Sequence, residues 1–152
     1  MIIHKYKVEL DNYWTDKWLI YPIGDIHWGH QGCDKVALRQ TIRTVANNPY
    51  ARWIGMGDYG EFITYQHPYF DPSSVDKSTR VWEMKQWARR EVGKIADELY
   101  PIKDKCIGIL RGNHEKFISD RGDIDPAQEL AEKLQTKYLG YECMIRVYVL
   151  IQ

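Results

Sequence analysis

Three short apolar runs constrain this chain more than anything else in it. They are WLIYPI at 18–23, ARWIGM at 51–56 and CIGIL at 106–110, and each leads into a glycine set beside acidic, amide or imidazole side chains. An apolar run of five or six residues has the length of a strand, and the glycine after it permits a turn that other residues adopt only at a cost. Between these runs lie longer stretches whose apolar residues recur at intervals of three and four, the period of a helix. Strands alternating with helices predict an α/β architecture with a largely parallel sheet. In such sheets, functional residues collect in loops beyond the carboxyl ends of the strands.

The remaining elements follow from the same rules. Residues 3–10 read as a first strand, and Asp11-Asn12 as a turn. Pro22 counts against 18–23 as a regular strand. Asp34 is the expected N-cap of a helix running to residue 47, with Ala37, Leu38, Thr41, Ile42 and Val45 on its apolar face and Asn48-Pro49 ending it. A long helix is expected over 76–99, where Val81, Met84, Ala88, Val92, Ile95 and Leu99 make one stripe. Asp125-Pro126 opens another, with Leu130, Ala131, Leu134 and Tyr138 facing inward and Gly140 as its terminating residue. Residues 143–151 are nearly all apolar, which predicts a strand covered on both faces.

Composition removes several classes. The 152 residues suit one domain, 1–152, and 44% hydrophobic with 28% charged residues fits a globular chain. No stretch approaches the roughly 20 apolar residues of a membrane helix, so no membrane partner is expected. The first residues lack the basic and apolar regions of a signal peptide. Cys33, Cys106 and Cys143 are odd in number and scattered, which predicts a reducing compartment and a cytoplasmic location. The formal net charge is zero, so bulk electrostatics do not indicate nucleic acid. A local track is conceivable where Arg80, Lys85, Arg89, Arg90 and Lys94 stand near Trp82 and Trp87, although a solvated helix face is the plainer reading. Arg121-Gly122-Asp123 reads as a turn.

The chemistry sits in Gly24-Asp25-Ile26-His27-Trp28-Gly29, Gly57-Asp58 and Gly112-Asn113-His114-Glu115. Asp25 and His27 are two apart, so on extended backbone both side chains lean to one side and can grip one cation. Asp58 adds a carboxylate and Asn113 a neutral oxygen. This mixed oxygen and nitrogen set suits Mn²⁺, Fe or Zn²⁺ better than Ca²⁺. Asp58 lies between the other two motifs and is the natural bridge between two divalent metal ions, while His114 beside it can donate a proton to a leaving oxygen. Ordinary capping by Asp and Asn is the plain alternative at single positions. His30 can reach substrate, or can be a solvated loop histidine. His67 in YQHPYFDP reads as part of an aromatic loop.

The trio resembles the calcineurin-like metallophosphoesterase family, whose pattern runs D-x-H, G-D, G-N-H-D/E, a lone His and then G-H-x-H. The resemblance spans 24–115. It implies a sandwich of α/β-β/α layers and a dinuclear metal centre that hydrolyses phosphate mono- or diesters. It further implies Asp25 and His27 on one metal, Asp58 bridging, Asn113 on the other, His114 facing the leaving group and Glu115 orienting His114. Nuclease-like phosphodiesterases are one similar branch, which keeps nucleic acid open as a partner beside simpler phosphate esters. Rossmann dinucleotide binding is set aside for want of G-x-G-x-x-G.

The later motifs have no counterpart. The histidines are His4, His27, His30, His67 and His114, so none follows Glu115. Three ligands of the family are unmatched, and the chain closes on the apolar VYVLIQ. The expectation is therefore an N-terminal portion, truncated at the C-terminus, whose activity alone is impaired or nil. The rival from another class is a scaffold or partner-binding module that keeps the fold with an incomplete metal site.

Overall fold

The computed structural model describes residues 2–10, 17–63, 67–80, 86–120 and 124–151. The turn expected at Asp11-Asn12, the stripe residues Val81 and Met84, the basic-track residues Trp82 and Lys85, and the 121–123 turn lie outside the described residues.

The strands are β1 (Ile3–Leu10), β2 (Leu19–Ile23), β3 (Ala51–Gly55), β4 (Cys106–Leu110), β5 (Tyr138–Gly140) and β6 (Met144–Ile151). The helices are α1 (Lys35–Asn47), α2 (Trp87–Leu99), α3 (Asn113–Ser119) and α4 (Pro126–Lys133), with 3₁₀ segments at Pro72–Ser74 and Tyr100–Lys105. Strands β2-β3-β4-β5 form one sheet in that order, and every pairing in it is parallel. Strands β1 and β6 form a separate parallel pair, in register from Ile3 opposite Met144 to Leu10 opposite Ile151. The chain is thus α/β with parallel sheets.

One apolar core unites the four-stranded sheet with its helices. Ile23 of β2, Ala51 and Trp53 of β3 and Ile109 of β4 meet Ile42 and Val45 of α1, Val92, Ile95 and Leu99 of α2, and Leu130 of α4. Each fully buried side chain of this size stabilises the fold by about 1.5–3 kcal/mol relative to exposure. Trp53 is wholly buried, and its indole N–H donates to the Ile102 carbonyl at 2.7 Å, so its polar atom is satisfied.

Helix ends follow local chemistry. The Asp34 side chain accepts from Ala37 N–H at 2.9 Å and caps α1. At the other end, Lys105 Nζ donates to the carbonyls of Val45, Ala46 and Asn48 at 2.7, 2.9 and 2.7 Å. These are groups that a helix leaves without an internal partner. Asp125 caps α4 through Ala127 N–H at 3.0 Å, with Pro126 in the first turn.

Four expectations need correction. Among the described residues of the helix expected over 76–99, residues 76–80 are not helical and α2 begins at Trp87, after Gln86 at a left-handed φ of 61° that a helix cannot include. Asp76 instead forms a turn, accepting from Ser78 N–H and Oγ–H at 2.8 and 2.7 Å. Helix α4 stops at Lys133, and Tyr138 and Gly140 belong to β5. Gln135, at φ 55°, takes the left-handed position after α4, and Thr136 N–H donates to Ala131 O at 2.9 Å. The GNHE segment, read as a turn, opens α3. Finally, β6 is not covered on both faces: Met144, Val147, Tyr148, Val149 and Leu150 are exposed. An apolar run reports a strand's composition and carries no record of which neighbours cover it.

The basic track is also altered. Arg80 precedes α2, Arg89 pairs with Glu129 at 3.0 Å, Lys94 pairs with Glu91 at 3.2 Å, and Trp87 is buried in the interior. The three cysteines are free thiols, and burial pushes the Cys106 thiol up to about 11. No helix among the described residues is long and apolar enough to cross a membrane.

Candidate metal centre

Strands β2, β3 and β4 are neighbours, so their three carboxyl-end loops lie side by side. The pairing of β2 with β3 continues past the sheet. Asp25 N–H donates to Gly57 O at 3.1 Å, Ile26 and His27 N–H to Asp58 O at 2.9 and 3.1 Å, and Trp28 N–H to Tyr59 O at 2.9 Å. The third loop is drawn in by glycines. A Cβ on Gly57, whose φ is 94°, would lie 2.5 Å from Gly112 N, and one on Gly112 would collide with Asp58. Both positions therefore require hydrogen in place of a side chain.

Glu115 locks this arrangement. It is fully buried, with Oε2 accepting from Asp58 N–H and Gly112 N–H, each at 2.9 Å, and Oε1 accepting from Tyr59 N–H at 2.7 Å. Burial pushes its carboxyl up, against the opposing pull of those backbone donors. The expected partner, the His114 ring, is not what it holds. Glu115 orients the loop that carries Asp58, and the His114 ring is held elsewhere.

Asp25, His27 and Asp58 sit at φ values of 50°, 49° and 51°. Left-handed backbone costs a residue with a side chain about 1–2 kcal/mol. Three such residues, from two loops, around one point indicate backbone strain retained at a site. This corrects the extended geometry expected for Asp25 and His27. They nonetheless converge, with Asp25 Oδ1 3.9 Å from His27 Nε2.

Ligand atoms of Asp25, His27 and Asp58 all lie within 4.8 Å of one another. The Asn113 amide faces the Asp58 carboxylate. With its NH₂ inward it donates to Oδ2 at 3.0 Å and Oδ1 at 3.3 Å; with its oxygen inward two sets of acceptors face each other, an arrangement that a shared cation relieves. The donor set of two carboxylates, one imidazole and one amide oxygen fits Mn²⁺, Fe or Zn²⁺.

Ligand atoms of a second group, His27, Glu61 and His114, also lie within 4.8 Å of one another, and this group shares His27 with the first. His27 Nδ1 lies 2.9 Å from Glu61 Oε2, which fixes the imidazole in the manner of metal-binding histidines. His114 Nδ1 is 2.6 Å from the Glu61 carbonyl, which can only accept, so Nδ1 carries a proton. Nε2 of His114 then bears a proton only in the imidazolium form. The backbone N–H of His114 donates to Asp58 Oδ1 at 3.1 Å, and the His27 and His114 rings meet edge to face with centroids 4.8 Å apart.

Of the residues singled out in the sequence, Asp25, His27, Asp58, Asn113 and His114 are thus gathered at one end of the sheet. His30 is not: its Nδ1 accepts from Gly32 N–H at 2.9 Å, within its own loop. Glu61 went unnoticed. It follows Asp58 by three residues in GDYGE, and no local pattern distinguishes it from a solvated glutamate. No family model matches this chain, and no curated protein or solved structure shows significant similarity to it.

Proposed function

We propose that this chain is a metal-dependent hydrolase of phosphate mono- or diesters, built as the metal-bearing part of a calcineurin-like metallophosphoesterase sandwich. One observation supports this above the rest. The carboxylates of Asp25 and Asp58 and the imidazole of His27 come from loops after two different strands, and their ligand atoms fall within 4.8 Å on strained backbone. Asp25, His27, Asp58 and Asn113 would hold the cations, with Asp58 shared if two are bound. Bound divalent ions would polarise a phosphoryl oxygen and make hydroxide available near neutral pH. Hydrolysis joins the oxygen of water to phosphorus and breaks the bond from phosphorus to the alcohol. His114, held through Nδ1, gives the departing oxygen its proton from Nε2 in the imidazolium form.

A second reading, a scaffold with an incomplete site, draws on a specific observation. Among the described residues the two ligand groups share His27, so together they hold two imidazoles for two ions. As an enzyme with so few imidazoles, this chain alone should bind Mn²⁺ weakly and turn over slowly.

Calorimetric titration with Mn²⁺ and hydrolysis of bis-p-nitrophenyl phosphate separate the readings. For the enzyme, Asp58→Ala should lower Mn²⁺-dependent turnover more than about 100-fold, beyond the usual effect of losing an outer partner. Turnover unchanged by that substitution excludes the metal mechanism. Mn²⁺ binding with no turnover at any concentration selects the scaffold. Two Mn²⁺ per chain at micromolar affinity, with brisk hydrolysis, refutes the expected impairment.

A further inference from the structure

A cavity of about 260 Å³ opens beside the candidate metal centre, and Asn113 and His114 line both. Glu61 and Ile63 also line it, and the remaining walls are aromatic. Phe62 is buried, Phe117 projects from α3, and His67 and Tyr69 come from the loop before the first 3₁₀ segment. The His67 ring lies 4.1 Å from Phe117 and 5.4 Å from Tyr69, centroid to centroid. The second is a distance at which flat rings pack, and the first is closer still. His67 is also held in place: its Nδ1 accepts from Tyr69 N–H at 3.0 Å, which puts the ring proton on Nε2. Tyr69 is 81% exposed and stands at the rim.

We propose that this cavity is a stacking site for the base of a nucleoside carried by the ester's departing alcohol. The proposal deepens the phosphoesterase reading and rests on it. Three features select a base. The cavity is at or below the lower end of small-molecule sites, about 300 Å³, so it suits one planar group in preference to a bulky ligand. Among the described residues its walls contain no lysine or arginine, so it is poorly suited to phosphate. It adjoins His114, so a phosphorus held at the metals leaves its alcohol on the aromatic side. Bases stack on aromatic and histidine rings whatever their sequence. The His67 Nε2–H adds one donor for a base edge.

The test uses the full chain, stripped of metal with a chelator. Adenosine, ribose 5-phosphate and p-nitrophenol are titrated while side-chain resonances of His67, Tyr69 and Phe117 are followed. Adenosine should shift these three together, and ribose 5-phosphate should not. His67→Ala and Tyr69→Ala should each weaken adenosine binding by about 5- to 10-fold, the low end for losing one base-aromatic stack. The exposed Tyr69 can be truncated without touching the core, which guards against a folding artefact at His67. Adenosine that leaves the three resonances unmoved, or that binds both variants as well as the native chain, overturns the proposal. Binding of p-nitrophenol without adenosine overturns the nucleoside assignment. Because no metal is present, failure here is distinct from failure of Mn²⁺-dependent hydrolysis. Adenosine binding in a chain that hydrolyses nothing would leave the cavity as a base site and remove its link to a departing alcohol.

Discussion

The two parallel sheets make different use of similar apolar material. Trp53 and Ile109 in the four-stranded sheet are wholly buried, under helices whose caps are set by Asp34 and Asp125. Val147, Val149 and Leu150 in β6 remain 37–48% exposed, although their strand pairs with β1 along its entire length. Backbone pairing alone therefore does not make a core. Helices with apolar stripes make one, and the loops they leave at the carboxyl ends of β2, β3 and β4 are stiff enough to keep three residues in strained backbone. The site belongs to the sheet that is covered.

This contrast is broken or sharpened most strongly by truncating one side chain in each region. Leu99 is wholly buried in α2, and Leu99→Ala should destabilise the chain by about 2–5 kcal/mol. Val149 is 48% exposed, and Val149→Ala should cost no more than about 0.5 kcal/mol. Urea unfolding of the two variants checks this. Equal losses would mean that β6 carries as much of the fold as the helical core does.

Next in size is the clamp. Glu115→Ala would leave three backbone N–H groups, of Asp58, Tyr59 and Gly112, without their acceptor. Each unsatisfied buried donor costs about 1–3 kcal/mol, and partial entry of water brings the expected total to roughly 2–4 kcal/mol. Mn²⁺ affinity should fall as well, because the loop that presents Asp58 loses its anchor. Stability lost with Mn²⁺ affinity unchanged would make Glu115 a fold residue only.

How far the sequence could be read depends on the range of the forces involved. Asp34 and Asp125 were legible as caps because an N-cap is made within three residues of its own helix. The proximity of Asp25, His27, Asp58, Asn113 and His114 was legible because strand, glycine and ligand repeat three times in an α/β order. Gln86 was not: its left-handed backbone interrupts a stripe whose helical period otherwise favours continuation. The exposure of β6 and the attachment of Glu61 to two histidines are set by residues far away in sequence. So is the attachment of Glu115 to Asp58 and Tyr59, which lie 57 and 56 residues back in the chain. The resemblance supplied roles for the ligands, and nothing in it pointed to the aromatic cavity.

The smallest effect concerns a strap on the covered sheet's side of the comparison. The loop ending at Asp76 lies along the first motif loop, with Gln31 N–H donating to Ser74 O and Asp76 N–H to Gly29 O, each at 2.8 Å. Lys35, at the start of α1, holds Asp76 Oδ2 at 2.5 Å and lies 4.7 Å over the Trp28 ring. Burial alone would raise the Asp76 carboxyl, but hydrogen bonds from Lys35 and from Ser78 outweigh it and bring it down to about 2, from an ordinary 3.8. The sign follows from the depressed value. The pair's contribution is complete above about pH 4 and is lost as pH falls from 4 towards 2, because the unfolded chain takes up the proton first. At about 1.4 kcal/mol per unit, and with Lys35 partly open to solvent, the expected loss is about 1–2 kcal/mol. Following the Trp28 indole resonance through an acid titration checks it, against Asp76→Asn as the control. The native chain should loosen around Trp28 within that window, ahead of global unfolding, and the variant should show no transition there. Identical acid profiles for the two proteins would mean that the strap is held by its backbone hydrogen bonds alone.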